Sequence, residues 1–119
     1  MTDTEAHVRL AAHLGGASAS FMGAYWTHER GGESGWGVLC EGAADLDTCD
    51  TCARAAAAAS EAELLGQDAL SAARDGDWDR ALGLVDAAHG EEHQFGDAPS
   101  YGPALDFVRA YVSTLKETA

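Results

Sequence analysis

Apolar residues recur every three or four positions through most of the chain from residue 50 onward, and that spacing predicts helices. The clearest run is Trp78, Ala81, Leu82, Val85, Ala88 and His89, with Asp79, Arg80, Gly83 and Asp86 off the stripe. It predicts a helix over 78–90. Ahead of it, Ala53–Ala59 is almost continuous alanine, the strongest helix former. Leu64, Leu65, Ala69, Leu70 and Ala73 extend that face and predict a helix over 50–75, with Gly66 as a weak point. Asp75-Gly76-Asp77 is a break, Gly76 ending one helix and Asp77 capping the next. Tyr101, Ala104, Leu105, Val108, Tyr111, Val112 and Leu115 form the stripe of a last helix over 102–117, with Pro103 suited to its first turn.

The first half of the chain follows a different pattern. Thr2-Asp3-Thr4-Glu5 has the spacing of a capping box, and it opens an expected helix over 2–14 that Gly15-Gly16 ends. Glycine and aromatic residues then dominate 17–44. Ser20 to Glu29 and Trp36 to Glu41 fit two short strands joined by a turn at Arg30 to Gly35. The expected architecture is therefore mainly α: a small bundle of four or five helices with an inserted glycine- and aromatic-rich β-hairpin. A length of 119 residues fits a single domain with one modest core.

The segment Gly76 to Leu82, with an aromatic followed by Ala81-Leu82, resembles the start of a tetratricopeptide-repeat helix. The resemblance covers about thirty residues without a second copy, and it implies an antiparallel helical hairpin rather than a repeat array.

Charge narrows the partners. Twenty acidic residues against seven basic give a net charge of −13, which repels phosphate backbones and anionic headgroups. A basic protein partner or a cation suits the chain better than nucleic acid or a membrane. A second alternative is an acidic inhibitor that mimics nucleic acid. No stretch has the ~20 apolar residues of a membrane span. The acidic start lacks the basic-then-apolar order of a signal peptide, so the expected compartment is the cytoplasm.

The chemistry-bearing residues are three cysteines and two histidine groups. Cys49 and Cys52 form a CxxC, with Cys40 nine residues upstream of Cys49. At the start of a helix such a pair has its thiolates stabilised by the helix dipole. Cys40 from the second expected strand and His28 from the first would complete a closed tetrahedral zinc site joining hairpin to helix. Alternative ligands are His89 and His93, four apart, although Gly90 is expected to break the helix between them. Cys49 and Cys52 also fit an exchanging dithiol with Cys40 as resolving thiol.

His89-Gly90-Glu91-Glu92-His93 matches the letter pattern of inverted zinc metallopeptidases. That resemblance covers five residues and implies zinc on His89 and His93 with Glu92 as general base. Otherwise Glu91, Glu92 and Asp97 are expected on solvated faces. No nucleophile elbow or phosphate-cradling glycine loop is present in the sequence. These features favour an acidic interaction or regulatory module with a structural zinc. The alternative is a small metal-dependent or thiol-redox enzyme.

Overall fold

The computed structural model describes residues 1–26, 50–95 and 100–118. They form α1 (Asp3–Trp26), α2 (Asp50–Arg74), α3 (Trp78–Glu92) and α4 (Gly102–Thr118), with a 3-10 turn at His93–Phe95 after α3. Consecutive helices pack on one another, and α1 also packs on α4. All four neighbouring pairs run antiparallel. Tyr111 meets Asp3 and Ser100 meets Ser20, so numbers fall along α4 as they rise along α1. Gly66 lies beside Leu14 and Gly76 beside Asp3, which sets α2 against α1 in the same sense. Lys116–Asp79 and Arg109–Asp86 do the same for α3 and α4. The arrangement is an up-down-up-down four-helix bundle.

The expected hairpin is overturned where the structure describes it. Among the described residues there is no strand, and Ser20–Trp26, expected in the first strand, is the last part of α1. The remainder of that segment, including the turn at 30–35 and the second strand at 36–41, lies outside the described residues. The physical reason is visible in the packing of α1. Leu10, Leu14, Ala17 and Phe21 are all buried, and their steps of four, three and four carry one face straight past Gly15-Gly16. Both glycines are exposed, and a Cβ on either would meet nothing within 4 Å. A solvent-facing helical glycine costs about 0.5–1 kcal/mol relative to alanine. Burying Phe21 contributes about 1.5–3 kcal/mol. The apolar face therefore outweighs the stop signal.

The other helix ends follow local chemistry. Glu5 donates its amide to Thr2 Oγ1 at 3.2 Å while Thr2 donates its amide to Glu5 Oε2 at 3.4 Å, a reciprocal capping box. Between α2 and α3, Gly76 has φ +81°. Its amide bonds to Ala73 O and the Asp77 amide reaches back to Ala72 O, the pairing of a Schellman cap. Asp77 then accepts from the Arg80 amide at 3.2 Å and starts α3.

The core combines large and very small residues. α2 buries Ala55, Ala58, Ala59, Ala62, Ala69, Ala72 and Ala73, and Gly66 is buried with them. Leu10, Leu14 and Phe21 from α1 and Trp78 and Val85 from α3 belong to the same core cluster as these alanines. Alanine without χ freedom loses no side-chain entropy here. No helix among the described residues is long and apolar enough to cross a membrane.

Candidate functional site

The most unusual buried group is Glu92. It ends the stripe Trp78, Ala81, Val85, Ala88, Glu92, whose steps of three, four, three and four keep all five side chains on the core face of α3. Among the described residues it is the buried charged one, at 0 % exposure. Its Oε1 accepts the Ser100 amide at 2.6 Å and its Oε2 accepts the Tyr101 amide at 2.7 Å. These amides lie just before α4, where the chain turns into a helix and backbone donors lack intrahelical partners. A carboxylate from the end of one helix thus caps the start of the next. Burial pushes the Glu92 carboxyl above the usual carboxylate range, and the two amide bonds and nearby His93 oppose that shift.

This placement corrects two expectations. Glu92 does not lie on a solvated face. Nor is it placed as a general base, since both its oxygens are bound to main-chain amides in the core. The stripe contains the missed signal. The step of four from Ala88 reaches Glu92, whereas the apolar pattern moves one residue to His89.

His89 and His93 do come together. α3 continues through Gly90 to Glu92, so the expected break between the histidines does not occur. Their Nε2 atoms are 2.7 Å apart, with the ring centroids 4.1 Å apart and nearly perpendicular. At that distance one nitrogen donates and the other accepts. Two nitrogens on one tetrahedral zinc would stand roughly 3.3 Å apart, from the usual Zn–N length. His89 Nδ1 is buried and makes no hydrogen bond. A bare lone pair there costs less than a buried N–H without an acceptor. The favoured tautomer therefore carries its proton on His89 Nε2 and donates it to His93. Burial lowers the His89 pKa, followed by the His93 charge; Arg109 adds to the lowering, while Asp86 and Asp106 oppose it.

The expected cysteine site falls largely elsewhere. His28, Cys40 and Cys49 lie outside the described residues, as does Asp97. Cys52 belongs to the first turn of α2, which begins at Asp50. Among the described residues, no group of three or more His, Cys, Asp or Glu side chains is arranged to hold a metal ion.

A third feature is invisible in the sequence. A groove of about 380 Å³ lies between α1 and α2, walled by Ala11, Leu14, Ser18, Glu63 and Leu70 among others and floored by Tyr101. Tyr101 is 1 % exposed. Burial, then the Glu63 and Glu92 carboxylates, push its phenol up to about 12, against a hydrogen bond with Ser18. No lysine, arginine or histidine is among the described residues lining the groove.

Comparison of the chain with protein-family models, with curated proteins and with solved structures finds no match.

Proposed function

We propose that the chain is a small acidic protein-interaction module that presents a preformed helical surface to a basic partner. The observation that carries this reading is the fate of its acidic groups. The one carboxylate buried among the described residues, Glu92, is fully engaged in joining α3 to α4. Asp and Glu side chains such as Glu61, Glu63, Asp68, Asp75, Asp79 and Asp106 are exposed instead, on a chain of net charge −13. Such a surface steers a cationic partner and repels nucleic acid. A reducing compartment such as the cytoplasm suits three cysteines that cannot all pair within one chain. A structural zinc on Cys40, Cys49, Cys52 and His28 belongs to the same reading, supported by the paired spacing of Cys49 and Cys52.

The test is binding of a designed helical peptide of alternating leucine and lysine faces, followed by fluorescence anisotropy at low and high salt. Saturable binding that weakens as salt rises is the expected result. No binding at low salt, or binding indifferent to salt, would refute the reading.

A further inference from the structure

The α1–α2 groove combines three properties that together define an occupant. Its floor and walls are apolar, from Leu14, Leu70 and the ring of Tyr101. Its ionised lining group is the Glu63 carboxylate, with Ser18 and Gln67 as neutral polar partners. It also continues into exposed apolar surface. Val8, 62 % exposed, stands one helical turn before Ala11, and Leu64, 57 % exposed, stands one turn before Gln67. Two of the three exposed large apolar residues among those described therefore flank the groove.

We propose that this groove docks one amphipathic helix of a basic partner protein, with apolar side chains on Leu14 and Leu70 and a lysine or arginine against Glu63. The inference rests on the interaction-module reading and locates it.

The dimensions suit a helix. The α1 wall runs over nine residues from Ala11 to Ala19, roughly 12 Å at the helical rise, so about two turns of a partner can lie along it. The bare backbone at Gly15 keeps the groove open, since no atom lies within 4 Å of where its Cβ would stand. The charge selects the occupant. An acidic segment would meet Glu63, which lines the groove together with Tyr101. A second copy of the chain would bring another net −13 to the same face. A cationic helix is the complement that satisfies both the apolar floor and Glu63.

The experiment uses the full chain and the same leucine–lysine peptide as probe. Gly15→Leu fills the groove and replaces a helical glycine, so its melting temperature should hold or rise. Glu63→Lys reverses the lining charge. Glu117→Lys makes the same charge change near the far end of α4. The expected result is a loss of about tenfold or more in affinity for each groove variant and a change of less than about twofold for Glu117→Lys. Equal losses in Glu63→Lys and Glu117→Lys, with Gly15→Leu unaffected, would overturn the groove and leave the acidic-module reading standing. Failure of the wild-type chain to bind at low salt would overturn both. Wild-type self-association abolished by Gly15→Leu would assign the groove to a second copy and overturn the proposal.

Discussion

The Glu92 carboxylate accepts the Tyr101 amide at 2.7 Å, so the last turn of α3 holds the first turn of α4 in place. The companion bond from the Ser100 amide is 2.6 Å. Two short bonds from main-chain amides thus join the end of α3 to the start of α4. Glu92→Ala removes both acceptors and leaves a void in a closed core. The expected cost is about 2–4 kcal/mol, combining unsatisfied amides with cavity formation. Glu92→Gln keeps one oxygen as acceptor and should cost less. Urea unfolding of the two variants checks the order; an alanine variant as stable as the parent would show that the cap contributes nothing.

Glu92 and His89 give opposite pH dependences. The Glu92 carboxyl is raised in the folded chain, so its contribution is fully present below the ordinary glutamate pKa of 4.5 and is lost as pH rises through the folded value. The His89 imidazole is lowered, so its contribution is fully present above 6.5 and is lost as pH falls through the folded value. Removing each group should therefore change the pH profile in opposite senses. Subtracting the Glu92→Gln profile from the parent should leave a component that falls with rising pH above 4.5. Subtracting the His89→Gln profile should leave one that falls with decreasing pH below 6.5. Parallel profiles for all three proteins would contradict the assignment.

Glycines should divide by backbone geometry. Gly15, Gly16 and Gly66 are helical, and Gly66 would place a Cβ no closer than 3.8 Å to Tyr101. Alanine at Gly15 or Gly16 should raise stability by about 0.5–1 kcal/mol each, and at Gly66 by a similar or smaller amount. Gly76 has φ +81°, where a side chain is strained. Gly76→Ala should lower stability by about 1 kcal/mol. Thermal melts of the four variants test the division, and a stabilising Gly76→Ala would contradict the cap.

The same residues show what is legible in the sequence. Asp75-Gly76-Asp77 is readable because its residues act locally, Gly76 by taking a positive φ and Asp77 by binding the Arg80 amide. The stripe Trp78, Ala81, Val85, Ala88 is readable because its period is helical and all four are buried. Gly15-Gly16 misleads because a glycine pair has one appearance at a helix end and on a helix's wet face. Only Ala17 and Phe21, buried in register beyond the pair, distinguish the cases. Glu92 misleads for a related reason. A carboxylate at a core position has no composition signal, and its partners at Ser100 and Tyr101 are set by the turn after α3. The groove over Tyr101 depends on how α1 lies against α2, which no local pattern encodes.

Tyr111 joins the opposite end of the bundle. Its hydroxyl donates to Asp3 Oδ1 at 2.7 Å, and its ring meets Trp78 edge-on at 4.6 Å between centroids. The bond to Asp3, with burial, pushes the phenol up to about 12. A raised phenol contributes stability below its ordinary value of 10.0 and loses it as pH rises through about 12. Tyr111→Phe keeps the ring packing and should cost about 1 kcal/mol at neutral pH. It should also flatten the alkaline fall in stability. A variant that melts like the parent at both pH values would place the Asp3 bond outside the stability of the fold.

The cysteine reading predicts a metal content that depends on one set of side chains and not on another. Chain purified without added metal should carry one zinc, since three thiolates and an imidazole form a closed tetrahedral set. Cys49→Ser and Cys52→Ser should each lose the zinc and lower the melting temperature together, because metal affinity adds directly to folding. His89→Gln and His93→Gln should keep it. Their nitrogens face one another at 2.7 Å, and a proton held between them occupies the lone pair a metal would need. Elemental analysis of the parent and four variants decides the matter. Metal-free parent protein with a cooperative melt would sink the zinc site, and zinc lost only in the histidine variants would move it to the end of α3.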